Sequence, residues 1–175
     1  MKRVSAALVA AVVVGLAVPS AAPAQGSENL VQTAQAAGSF KTLVKLVKSA
    51  GLASTLSGST KYTVFAPTDA AFAKVPKSTL SALANDKAAL RRVLLYHVVA
   101  GVVPARSVIR VRSVKTVEGS RVRIRVRRVR IGVRRTGVFL NGYSRVIRTN
   151  VRASNGIIHV INRVLIPPPA PRFTG

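Results

Sequence analysis

From Arg121 to Arg127 the chain alternates between charge and hydrocarbon: Arg121, Arg123, Arg125 and Arg127 on odd positions, Val122, Ile124 and Val126 on even ones. Strict period two marks a β-strand with one buried and one wet face. At Arg127–Arg128 the parity slips. Val129, Ile131 and Val133 carry the apolar side on odd positions, while Arg128, Arg130 and Arg134 are even. A one-residue slip exchanges the faces of a strand, so a bulge or tight turn is expected there. Asn141-Gly142 separates residues 138–140 from 143–151 and is a strong hairpin signal. Asn155-Gly156 is a second turn, leading into a strand at 157–161, so residues 111–166 are mostly extended.

Residues 29–99 carry a different period. Phe40, Leu43, Val44 and Val47 fall at i, i+3, i+4 and i+7, with Lys41, Lys45 and Lys48 on the other face. Ser39 is the expected cap of that helix and Gly51 its stop. A second helix is expected to begin at Asn85 and Asp86, to present Leu90, Val93, Leu94 and His97 to a core, and to end near Gly101. Between them, 61–66 is β-branched and aromatic and reads as a short strand, broken by Pro67. Thr68 or Asp69 caps a short helix through Phe72, and Pro76 followed by Ser78 starts another.

The N-terminus bears on compartment. Lys2 and Arg3 precede an apolar run at 4–18 and then small residues, the order of a secretory signal peptide over 1–24, with cleavage after Ala24. The run is shorter than the ~20 residues that span a bilayer. Residues 25–168 are then expected to form one domain, followed by a Pro-rich tail at 169–175. The chain has no cysteine, so stability must come from an ordinary packed core. Its 28 basic residues against four acids (Glu28, Asp69, Asp86, Glu118) give a formal charge of +24. Anionic surfaces are the default partners of such a chain, although net charge says nothing about fold.

Three segments carry a family resemblance: TVFAPTDAAF at 63–72, Tyr96-His97 within LRRVLLYHVVAG, and SNGIIHVINRVLIPP at 154–168. They resemble the signature regions of a fasciclin domain, and FKTLVKLVKSAGL at 40–52 resembles the family's second helix. The resemblance implies an α+β fold, a wedge or sandwich of about seven β-strands with several α-helices packed around it. It also implies extracellular adhesion or matrix interaction, with no cofactor and no catalytic site. The motif residues Thr63, Phe65, Pro67, Thr68, Asp69, Phe72, Tyr96, His97, Asn155, Gly156 and His159 then read as structural. Pro67 and Thr68 turn the chain, Asp69 favours the positive end of the next helix, and Phe72 plugs the core. His97 resembles a tie between its helix and the strand–turn motif, donating to a nearby oxygen. The chain departs from the family pattern at Asn162 and Asn150, where acids are usual. The latter puts integrin-type recognition in doubt, and the stretch between Gly119 and Gly142 is longer than the family norm.

Little chemistry is available for catalysis. The segment Gly142-Tyr143-Ser144-Arg145-Val146 lacks the second glycine of a nucleophile elbow, and Gly58-Ser59-Thr60-Lys61 is a turn rather than a phosphate loop. Asp69 and Asp86 are better explained as helix-start residues than as paired carboxylates, and no spacing suggests zinc or calcium. The expectation is therefore a binding module and not an enzyme. Residues 106–152 hold fourteen arginines and Lys115 against Glu118 alone. Arg121, Arg123, Arg125, Arg127, Arg128, Arg130, Arg134 and Arg135 are the candidate ligand-binding residues, because guanidinium forks suit phosphate, sulfate and carboxylate. The expected partner is an extracellular matrix or cell-envelope component such as an anionic polysaccharide, a phosphate-bearing wall polymer or an anionic membrane surface. Nucleic acid is not the expected physiological partner, since aromatic interleaving is nearly absent. The alternative is a polyanion binder acting through charge alone, and the plain reading is an arginine-rich solvated face that blunts a sheet edge.

Overall fold

The computed structural model describes residues 28–131 and 133–168. The expected signal segment 1–24, the domain start at Gln25 and the tail 169–175 lie outside the described residues, as do the side chains of 128–136. The first half supplies α1 (Leu30–Ala36), α2 (Lys41–Ser49), α3 (Ala53–Ser57), β1 (Tyr62–Pro67), α4 (Asp69–Phe72), α5 (Lys77–Asn85) and α6 (Lys87–Tyr96). The second supplies β2 (Val98–Ala100), α7 (Ala105–Val108), β3 (Ser113–Lys115), β4 (Arg121–Ile131), β5 (Val133–Leu140), β6 (Ser144–Ala153) and β7 (Gly156–Ile161). Among the described residues no helix is long and apolar enough to cross a membrane.

The seven strands form one mixed sheet in the order β2-β1-β7-β6-β5-β4-β3, with β1 and β7 parallel and the other pairs antiparallel. A bridge between Val99 and Thr116, and a bond from Val117 N–H to Val98 C=O (2.8 Å), bring the two ends together and nearly close the sheet. All six residues of β7 are buried. Val64 and Ile158 face a core shared with Leu43, Val47 and Leu94 of the helices. Phe65 and Ile161 face a second core inside the curved sheet with Tyr96, Val122 and Leu140. Burial on both faces explains why β1 and β7 read as continuous apolar runs instead of alternating ones.

Local chemistry sets the boundaries, and several differ from expectation. Helix α2 is not capped by Ser39, because Phe40 holds the cap position with no side-chain bond. The cap comes from Asp69, whose carboxylate accepts from Thr42 N–H (2.8 Å) and Lys41 N–H (3.3 Å), while Asp69 N–H donates to Ser39 C=O (2.9 Å). Burial pushes the Asp69 carboxyl up, but these bonds and the nearby Lys41 charge outweigh it and hold the group below its ordinary value. Asp69→Ala should therefore loosen α2, not only α4, and cost about 1 kcal/mol in a denaturant titration. Gly51 does stop α2. At φ +69° it lets Leu52 N–H reach Val47 C=O (3.0 Å) and its own N–H reach Lys48 C=O (3.0 Å).

Helix α6 starts as expected, with the Asp86 side chain accepting from Ala88 and Ala89 N–H. It ends at Tyr96, not near Gly101. The β-branched pair Val98-Val99 leaves the helix to extend the edge of β1, pairing Val98 with Val64 and Val99 with Thr63. The bulge or turn expected at Arg127–Arg128 is absent. Strands β4 and β5 pair in one unbroken register from Ile124↔Leu140 to Ile131↔Val133. Val126, the last apolar residue before the slip, is already 44% exposed, so the buried face of β4 weakens before the parity changes. Asn141 and Gly142, at φ +50° and +83°, form the hairpin turn between β5 and β6. That turn takes in Tyr143, and Gly156 is the first residue of β7 rather than part of its turn.

Candidate functional site

The sequence motif residues converge on internal ties. Thr63, fully buried, donates from its hydroxyl to Gly101 C=O and accepts from Val103 N–H, both at 2.8 Å. His97 is 2% exposed. Its Nε2 accepts from Leu165 N–H (2.9 Å), which leaves Nδ1 as the protonated nitrogen facing Val93 C=O (2.8 Å). Its ring thus ties α6 to the segment after β7, whereas the link to the strand–turn motif runs through its backbone, His97 C=O accepting from Phe65 N–H (2.8 Å). Burial drives its pKa down to about 4. His159 stacks on Phe65 at a centroid distance of 5.7 Å and approaches Val103 C=O through Nε2 (2.9 Å). Burial lowers its pKa as well.

Asn155 is the densest of these ties. Its Oδ1 accepts from Leu30 N–H (2.8 Å), and its Nδ2 donates to Leu56 and Gly58 C=O (2.7 Å each), joining the β6–β7 turn to α1 and α3. Thr68 caps α4 by accepting from Ala71 N–H (3.2 Å), and Phe72 is buried against the helices. Pro67 and His97 border a small apolar cavity that Asp69 does not line, and both His97 ring nitrogens are occupied within the fold. Among the described residues no three His, Asp or Glu side chains cluster in a way that could hold a metal ion.

The arginine ladder lies elsewhere, on the outer face of β3–β4. Arg121, Arg123, Arg125 and Arg127 are all exposed, while Val122 and Ile124 on the alternate positions are buried. The β3 register sets Lys115 beside Arg121 and Ser113 beside Arg123. On the other side, Arg125 pairs with Phe139, which pairs with Arg145, so the three lie in line across β4, β5 and β6. The buried Arg145 Nε has no hydrogen-bond partner among the described residues. Arg128, Arg130, Arg134 and Arg135 lie further out on the same hairpin, where the register sets Arg130 opposite Arg134.

The acid nearest in sequence does not neutralise this face. Glu118 Oε1 pairs with Arg92 Nε of α6 (2.8 Å), and its Oε2 accepts from Ser120 N–H (3.1 Å). Burial raises the Glu118 pKa, but the Ser120 and Arg92 bonds prevail and leave it below its ordinary value.

Sequence reasoning missed Phe139 and Arg145, whose place beside the ladder follows only from the register. It also missed the second role of Asn141. That side chain accepts from Arg123 N–H (3.0 Å) and donates to the Tyr96 hydroxyl (3.0 Å), fixing the ladder to the inner core. The two departures from family pattern have structural uses. Asn150 adopts φ +58° and accepts from Ala105 N–H (3.0 Å) at the start of α7, and Asn162 accepts from Arg145 N–H (2.8 Å).

Comparison with known proteins agrees with this architecture. The fasciclin domain model matches residues 38–167. The chain belongs to the fasciclin domain family. It is similar to an uncharacterized protein of Synechocystis, at 39% identity over 138 residues that cover 79% of this chain and 97% of that protein. It is also similar to the transforming growth factor-beta-induced protein ig-h3 of Sus scrofa, at 31% identity over 81% of this chain but only 20% of the relative. The immunogenic protein MPT70 of Mycobacterium tuberculosis is 35% identical over 62% of this chain and 51% of its own length. Among solved structures, a FAS1 domain pair from the insect cell adhesion molecule fasciclin I superposes with a TM-score of 0.66 at 19% identity. The match covers 81% of this chain and 52% of that one. The fasciclin fold is thus shared, with the helix-and-sheet arrangement expected for it.

Proposed function

We propose that this fasciclin-family chain is an exported adhesion or surface-interaction module that uses the β3–β4 face to hold anionic extracellular or cell-envelope polymers. The observation that carries the reading is the row of four exposed arginines from Arg121 to Arg127, with Glu118 committed to Arg92. Same-face residues two apart on a strand stand ~7 Å from one another, so the row repels itself until an external anion bridges it. Guanidinium groups bind phosphate, sulfate and carboxylate through two parallel hydrogen bonds, which suits a repeating polyanion. Insect fasciclin I, which shares the fold, is a cell adhesion molecule, and the signal-like segment at 1–24 is consistent with export. The role is contact and not catalysis, since the histidines and acids of the motifs are engaged in holding the fold.

Replacing Arg121, Arg123, Arg125 and Arg127 together by serine tests this directly. At ~0.2–1 kcal/mol for each of the four exposed ionic contacts, affinity for a sulfated polysaccharide at moderate salt should fall about fourfold or more while the unfolding midpoint is preserved. Unchanged affinity in a folded variant contradicts the reading. Titrations at several salt concentrations separate a shaped site, which prefers one polymer and keeps part of its affinity in high salt, from attraction by charge alone.

A further inference from the structure

The outer edge of β4 is only partly used. Strand β3 pairs with β4 from Arg121 to Arg123, and the last rung is the bond from Ile124 N–H to Arg112 C=O (2.8 Å). Arg123, by contrast, faces β5, its carbonyl accepting from Asn141 N–H (2.8 Å). Backbone groups of an antiparallel strand alternate between its two edges, so even-numbered residues of β4 address the β3 side. Val126 is the next of these, and no strand continues beside it among the described residues. Its N–H and C=O therefore face a cleft lined by Arg112, Arg123, Arg125 and Arg127, with apolar Ile124 and Val126 on its other side.

We propose that this edge accepts an extended peptide segment that alternates acidic and apolar residues, added as a further strand beside β4. Main-chain bonds to Val126 would supply the register, as in other strand-addition complexes. Because β3 and Arg112 already lie beside Arg123 and Ile124, one face of the incoming strand meets Arg125 and Arg127, and the other meets Val126. From Arg125 to Arg127, before the parity slip, period two in the host asks for period two in the guest. A second copy of this chain is a poor guest, because its own edge would set arginine opposite arginine, and like charges directly opposite one another destabilise a strand pair. A polysaccharide would engage the guanidinium groups but leave the Val126 rung and the apolar side of the cleft unused. The inference goes beyond the polyanion reading, since it concerns the edge of β4 and not its face.

The test uses the full chain and three capped peptides: Glu-Val-Glu-Val-Glu-Val, the same peptide N-methylated at every glutamate, and the same peptide N-methylated at every valine. All three carry the same charge. One methylated isomer should bind at least tenfold more weakly than the parent and the other within about twofold, because only alternate N–H groups of an added strand face its host. Loss on valine methylation marks an antiparallel guest, and loss on glutamate methylation a parallel one. Equal binding of all three peptides, or equal loss for both isomers, overturns the proposal. Val126→Pro provides a second arm, since proline is accommodated where the strand N–H faces outward. It should abolish peptide binding and keep sulfated-polysaccharide binding. Peptide affinity unchanged in that variant also overturns the proposal, whereas loss of the polyanion reading would show only in the serine variant.

Discussion

Gly156→Ala should destabilise the domain by about 3 kcal/mol or more, a large share of the roughly 5–15 kcal/mol that holds an ordinary domain folded. Gly156 opens β7 and stands opposite Tyr62 in the parallel β1–β7 pair. A Cβ built at Gly156 would collide with the Tyr62 carbonyl oxygen, and would also lie 3.0 Å from the Tyr62 carbonyl carbon and 3.2 Å from Leu30 Cδ1. Two of the three obstacles are backbone atoms, which no side-chain rotation can move. Relief requires β1 to separate from β7 in the middle of the sheet. The bond from Tyr62 N–H to Asn155 C=O (3.1 Å) lies at the same point, so the buried Asn155 ties would be strained as well. Gly58→Ala is the control: its added Cβ meets only ordinary contacts at 3.6 Å and should change stability by about 0.5 kcal/mol or less. Equilibrium unfolding in urea distinguishes the two. A wild-type midpoint for Gly156→Ala would refute the close approach of β1 and β7.

Acid should weaken the fold well before the carboxylates titrate. Burial holds the His97 pKa at about 4 in the folded chain, against 6.5 for the exposed ring. Between those values the unfolded chain takes up a proton that the folded chain refuses, so stability declines as pH falls from 6.5 towards 4. The total loss from this ring is about 3 kcal/mol, the linkage equivalent of the difference between the two states. Burial lowers the His159 pKa too, which acts in the same direction. Asp69 and Glu118, both held below their ordinary values, add their losses only at lower pH. Unfolding free energies at pH 7, 5.5 and 4.5 measure the slope. In His97→Gln, which cannot titrate, most of the decline in that window should vanish even though the variant starts less stable. A wild-type curve flat from pH 7 to pH 5 would contradict the buried neutral imidazole.

Features carried by a long local period were legible in the sequence. The β4 alternation and the α2 and α6 stripes appear where expected, because each repeats one burial constraint over at least two turns or three strand rungs. Features made by distant partners were not. The α2 cap is Asp69, 28 residues from the Lys41 whose N–H it accepts, and no local pattern announces it. Strands β2 and β3, three residues each, are too short for a period and form only because β1 and β4 offer edges. The parity slip at Arg127–Arg128 was visible, but the unbroken β4–β5 register across it, with Val126 already 44% exposed, is a matter of tertiary packing. The candidate site divides in the same way. The ladder arginines are evident from residue types alone. Phe139, Arg145 and the unpaired rung at Val126 follow from register and from the length of β3, quantities that a hairpin signal does not specify.

We propose that this fasciclin-family chain meets an anionic partner through the positive potential of its β3–β4 face. Backbone amide NMR during titration with a sulfated oligosaccharide locates the contact residue by residue. Shifts concentrated at Arg112, Lys115 and residues 121–127, with smaller ones at Phe139 and Arg145, are the result expected. Shifts centred on Lys41, Lys45 and Lys48 of α2, or spread evenly over every basic residue, would contradict it.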